Sequence, residues 1–310
     1  MNNKKIKPKF TSVGFGGAYF SVAVVSILLA SAIFSFVFIL SGVSGDSVTD
    51  KNWYKYLSYV LTPTAISLSL VLFTKANGEY LTEVCRVNKT SVKYYLHAIL
   101  LTVATFFGLS GLNGYFIQFL QKFGYKYPEQ SLPTFSAVNI ILTVLTVCVI
   151  PAVTEEAFFR GVLTRSLDGA NTVIACLTGG LYFSLFHMNP AQTPYQFALG
   201  FCYTLLALKS GSVFPTVIAH FLNNLIIVIL YYAAPTFGGF TGVAGIITTV
   251  LGTAATALFV ALLLIGKKEE EGKEEKEEKE RFPYDYKTFF LYSAIGVAAC
   301  VIIWFSGLLQ

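Results

Sequence analysis

From Ala18 to Leu40 the chain runs without a charged side chain. At about 1.5 Å per helical residue that stretch is long enough to cross a hydrocarbon core of roughly 30 Å. Seven more apolar segments follow before residue 267, at about 54–73, 94–112, 137–153, 172–186, 194–208, 213–233 and 243–265, and one comes after it, at 289–308. Backbone in lipid has no water to bond to, so such a series folds only where each segment satisfies its own hydrogen bonds. The expected fold class is all-α: a polytopic membrane helix bundle of about eight core helices, plus one C-terminal span after a charged linker. Composition agrees, because 55% of the 310 residues are hydrophobic and only 13% are charged, a balance far from that of soluble domains.

The charges that remain sit between segments. Lys4, Lys5, Lys7 and Lys9 precede the first span, and Lys75, Arg86, Lys89 and Lys93 outnumber Glu79 and Glu83 between the second and third. Both clusters place their side of the membrane, and with it the N-terminus, in the cytoplasm. Ala30-Ser31-Ala32 resembles a signal-peptidase site, but apolar residues continue through Leu40, so an uncleaved span is expected. The formal net charge of +5 has no aromatic interleaving, which speaks against nucleic acid as a partner. Cys85, Cys148, Cys176, Cys202 and Cys300 are scattered without the close pairing of zinc or redox motifs. From Lys267 to Arg281 almost every residue is Lys, Glu or Arg, the pattern of a solvated helix or flexible tether.

The expected organisation is a basic cytoplasmic N-terminus (1–17), N-terminal transmembrane helices and loops (18–133), a catalytic transmembrane core (134–266), a charged linker (267–287) and an additional helix (288–310). Asn113 to Pro133 reads as a polar outer loop punctuated by Gly and Pro. Pro151 either kinks the fourth segment or opens a new helix. His97, near a membrane edge, reads as an interfacial or core histidine rather than a ligand.

Against this apolar background Glu155, Glu156 and Arg160 stand out. A charged side chain at bilayer depth costs on the order of 2.5–3.5 kcal/mol, so three within six residues need partners or a task. Adjacent helical residues point about 100° apart, so the two acids do not easily share one task. Glu156 and Arg160, four apart with the acid first, suit an ion pair on one helix face. Glu155 is then the expected general base, with Glu156 the alternative. His187, at the end of its segment, would help polarise the same water. His220 and Asn224 are also four apart, so they project together as two donors facing a developing oxyanion. Asn223 can substitute or support them. The competing reading is that these polar residues only tie helices together.

One geometric condition follows. If every segment crosses fully, Glu155 and His187 lie towards opposite sides. Cooperation requires either that the Glu155 helix sit within the membrane or that the short segments near His187 be partial or re-entrant.

The ordered set Glu-Glu-x-x-x-Arg (Glu155, Glu156, Arg160), Phe-x-x-x-His (Phe183, His187) and His-x-x-x-Asn (His220, Asn224) resembles the CAAX-processing and bacteriocin-immunity (CPBP) family of intramembrane proteases, over about Thr143 to Leu225. The resemblance implies a helical core with a cavity that admits water, and peptide hydrolysis near the C-terminus of a peptide or membrane-associated protein substrate. It implies Glu155 and His187 as the residues that activate water, and His220 and Asn224 as the oxyanion site. Glu156, Arg160, Phe183 and Asn223 would support them. No cofactor is favoured. Zinc is the alternative, with Glu155, Glu156, His187 and His220 as candidate ligands, although the pattern His-Glu-x-x-His is absent. A transporter using the same acids and histidines, and a non-catalytic immunity or scaffold protein of the same fold, are the other readings. The expected partners are a peptide or protein substrate and the lipid bilayer. The simple N-terminus and compact length suggest a multi-pass protein of a prokaryotic cell membrane.

Overall fold

A computed structural model describes residues 14–42, 46–78, 80–127, 131–167, 170–237, 242–266 and 286–309. The basic residues 4–9 and the charged stretch 267–285 lie outside them. Among the described residues there is no strand. Nine helices form the body: α1 Gly14–Leu40, α2 Asn52–Ala76, α3 Val92–Gln121, α4 Ala137–Ser166, α5 Thr172–Phe186, α6 Thr193–Ser210, α7 Phe214–Phe237, α8 Gly242–Ile265 and α9 Tyr286–Leu308. All but α5 and α6 are long and apolar enough to cross a membrane. The chain is thus an all-α, multi-pass integral membrane protein.

Contacts at the helix ends define two faces. On the proximal face the Arg165 guanidinium at the end of α4 donates to Glu83 O. There too Ser212 Oγ, just before α7, donates to Asn88 O at 2.6 Å, and Lys209 Nζ donates to Gly266 O at 2.6 Å. On the distal face Asn52 Nδ2 donates to Thr134 Oγ1 at 3.0 Å, and Tyr232 OH donates to Pro133 O at 2.8 Å.

One expectation about local structure is corrected. The stretch after Leu112 is helix rather than loop, since α3 continues to Gln121. Its residues find partners on a neighbouring turn: Asn113 Nδ2 donates to Ala191 O at 3.0 Å, and Leu120 packs with Tyr125 and Ala191. Pro151 stands within α4, at the start of its α-helical stretch Ile150–Glu156. The backbone widens into π-helical turns at Val144–Val149 and again at Ala157–Leu163, with Pro151 in the first turn of the intervening Ile150–Glu156. The wider turn accommodates a residue that lacks an N–H and crowds the carbonyl four positions back. Glu155 therefore lies inside a continuous helix and not at the end of a span.

The α5–α6 pair carries His187 at its tip. Its helices have 15 and 18 residues, about 22 and 27 Å, short of a typical crossing. Both start or end at the proximal face. Their tip, His187 to Gln192, stops beside Asn113 of α3 and Gly307 of α9. The pair is a short helical hairpin whose tip lies near the end of α9, which closes at Leu308. Counted back from the connection between α4 and α5, Glu155 is about 16 Å away along its helix and His187 about 22 Å away. The hairpin closes tightly: a Cβ on Gly200 would come within 2.8 Å of Gly180 Cα.

Candidate active site

The centre of the site is a buried charge cluster. Glu156 and Arg160 are 0% and 1% exposed, and Arg160 Nη1 donates to Glu156 Oε1 at 2.9 Å. The same oxygen accepts from His220 Nδ1 at 2.9 Å. His220, brought in by α7, is thus partnered by Glu156 and not by Glu155. Burying the guanidinium is offset further by aromatic faces, with the Arg160 Cζ 4.4 Å from the Phe183 ring centroid and 5.3 Å from that of Tyr203. Arg160 Nη2 also reaches Gly200 O at 3.5 Å, which ties α4 to α6.

Phe183 is the hub around which the motifs meet. Its ring lies 4.8 Å from that of His187 and 6.0 Å from that of His220, and 5.0 Å edge-on from Phe159 of α4. His187 caps α5 and donates from Nδ1 to Phe183 O at 2.7 Å. A carbonyl can only accept, so this bond places the imidazole proton on Nδ1 and leaves Nε2 with its lone pair.

Glu155 is half-buried. Its Oε2 is shielded from solvent and unpaired within the chain, as are Glu156 Oε2, Arg160 Nε and Tyr203 OH. Unpaired buried polar atoms are uncommon in folded proteins, and four of them on neighbouring residues mark a place of special chemistry. Glu155 is within electrostatic reach of His220 and Arg160, and so is His187. No hydrogen bond joins Glu155 to His187 among the described residues.

The asparagines have structural commitments. Asn224 Nδ2 donates to Val147 O at 3.0 Å, and Val147 stands four residues before Pro151, so its carbonyl has no standard helical donor. Asn224 Oδ1 accepts from Asn223 Nδ2 at 3.2 Å, and Asn223 Oδ1 accepts from Tyr195 OH at 2.5 Å. This relay orients the Asn224 amide and leaves it one free N–H. His220 and Asn224 therefore do not simply present two open donors. Tyr195 and Tyr203 were not singled out from the sequence, where each is one tyrosine among 18; only the packing of α6 brings them in.

The surroundings are asymmetric. On the proximal side Phe158, Phe159, Val162, Leu163 and Leu167 are all at most 1% exposed, so the site is sealed there. On the distal side Val153 is 51% exposed, and a cavity of about 370 Å³ lies beside Val147, lined also by Lys55, Tyr59 and Ser131.

Residues 137–226 match the family model described as type II CAAX prenyl endopeptidase Rce1-like. The match supports the CAAX protease family for this segment. The match begins with α4 and ends within α7, so it contains Glu155, Glu156, Arg160, His187, His220 and Asn224, and it supports an intramembrane protease of the CAAX type in general. No curated protein and no solved structure matches the chain. Among the described residues no three His, Cys, Asp or Glu side chains stand close enough to hold a metal ion. Of the four candidates, Glu156 has one oxygen already shared between Arg160 and His220.

Proposed function

We propose that the chain is an intramembrane endopeptidase in which Glu155 is the general base, acting on a peptide bond near the C-terminus of a membrane-associated substrate. The observation that carries this reading is the contrast between two adjacent acids. Glu156 is bonded to Arg160 and His220, whereas Glu155 Oε2 is shielded from solvent and has no hydrogen-bond partner among the described residues. An uncommitted carboxylate is free to take a proton.

In this mechanism the Glu155 carboxylate removes one proton from water while His187 Nε2 accepts a hydrogen bond from the other. The water oxygen attacks the peptide carbonyl. The oxyanion is held by the free N–H of Asn224 and by His220, which Glu156 orients through Nδ1. As the oxyanion collapses and the C–N bond breaks, protonated Glu155 gives its proton to the departing nitrogen, leaving a carboxylic acid and an amine, and the acid's proton then passes to the amine to give carboxylate and ammonium. Preorganised donors in a water-poor site act strongly on such a transition state. The sealed proximal side leads us to infer that substrate approaches from the distal side, past the cavity at Lys55 and Val147.

C-terminal peptide profiling of membranes from cells carrying wild type or Glu155→Gln tests the reading. Peptides cut only by wild type are expected. Identical profiles, or substrate flux in proteoliposomes without cleavage, would replace it with the non-catalytic or transporter reading.

A further inference from the structure

The last helix, α9, lies outside the matched residues 137–226, yet it grips the hairpin that carries His187 at two levels. Midway along, Tyr182 OH and Ser293 Oγ are 2.5 Å apart and buried, and the Tyr182 ring packs on Phe289 at 5.2 Å. Tyr182 neighbours Phe183, so the two successive residues put one ring on α9 and one on the Arg160–His220 cluster. At the tip, Trp304 Nε1 donates to Thr193 Oγ1 at 2.8 Å. One turn on, a Cβ on Gly307 would come within 3.3 Å of the Pro190 ring.

The tip needs holding. Met188, directly after His187, has φ +49°, a left-handed conformation that an unbranched L-residue adopts at a cost and that persists where surrounding contacts impose it. Within the turn, Ser184 Oγ donates to Thr193 O at 2.9 Å, and Asn189 Oδ1 accepts from Ala191 N at 3.0 Å. Thr193 thus joins the end of α5 to Trp304.

We propose that α9 is a positioning element for the reaction, and that Trp304, acting through Thr193, is the residue that keeps the 187–193 turn in the strained form that fixes His187. Trp304 touches no reacting atom. It acts by limiting the freedom of a turn whose displacement by even 1 Å is costly to an aligned base. The kinetic part of this inference rests on the proposed hydrolysis; the structural part does not.

Trp304→Phe keeps an aromatic side chain and removes the indole N–H together with its five-membered ring. In the full chain in detergent, amide exchange over 187–193, where His187 N bonds Ser184 O and Met188 N bonds Leu185 O, should speed roughly tenfold, the scale of one lost buried hydrogen bond. Exchange in α3 and α8 should not change. Turnover should fall by about the same factor with KM held. Adding Met188→Gly, which adopts positive φ without penalty, should recover part of the turnover. Ile302→Ala, on the exposed side of α9, should change neither readout. Unchanged exchange in Trp304→Phe overturns the proposal, and so does faster exchange with unaltered kcat. A wild type that cleaves nothing would refute the hydrolysis, while the exchange result would still decide whether α9 holds the turn.

Discussion

Asn224 and Pro151 are coupled through one carbonyl: Asn224 Nδ2 donates at 3.0 Å to Val147 O, the group that Pro151, lacking an N–H, leaves without a standard α-helical donor. Loss of the amide should therefore be felt through α4 as well as through the chemistry. Asn224→Ala is expected to destabilise the protein by about 1–3 kcal/mol, the cost of an unsatisfied buried group. In Pro151→Ala, which restores an N–H, the same change should cost about 1 kcal/mol less. Thermal unfolding of the four proteins in detergent measures the coupling, and additive effects would contradict the link.

The adjacent acids should separate cleanly under mutation. Glu155→Gln removes no internal hydrogen bond, so stability should stay within about 0.5 kcal/mol of wild type. Turnover should drop by roughly 10²–10⁴, the range for a lost general base. A variant that unfolds early, or one that keeps its activity, would contradict the assignment.

Glu156→Gln should do the opposite first. It strands Arg160, 1% exposed, without its counter-charge, at a cost of about 3–5 kcal/mol. The double change Glu156→Gln with Arg160→Met removes the orphaned cation and should regain most of that stability. It should not regain turnover, because His220 remains without its carboxylate partner. Equal unfolding temperatures for wild type and Glu156→Gln would show that the pair carries no such weight.

Metal dependence has a direct assay. With Glu156 Oε1 occupied by Arg160 and His220, exhaustive chelation should leave peptide cleavage within about a factor of two. Turnover that vanishes on chelation and returns specifically with zinc would require a different conformation of the four candidate ligands.

The series of apolar runs and the three polar motifs were legible because each is local. Hydrophobic length sets how many helices can span, and i, i+4 spacing sets which side chains share a face, as for Glu156 and Arg160. The end of α3 was not legible. Asn113 and the residues up to Gln121 look like loop until Ala191 and Tyr125 are placed beside them. Nor was the fate of Pro151, since its cost is relieved by a π turn and by a donor 73 positions later, Asn224.

By itself the sequence determined that this chain is a membrane helix bundle with acids, histidines and an arginine at lipid depth, because lipid leaves apolar runs no other fold and charges no other company than one another. Only the tertiary structure decided the pairing. It turned α5 and α6 back as a short hairpin, set His187 against the Phe183 ring, gave His220 to Glu156 and laid α9 along the hairpin tip. Those choices depend on contacts between residues tens to more than a hundred positions apart, such as Trp304 with Thr193, and their energies exist only once the helices are packed.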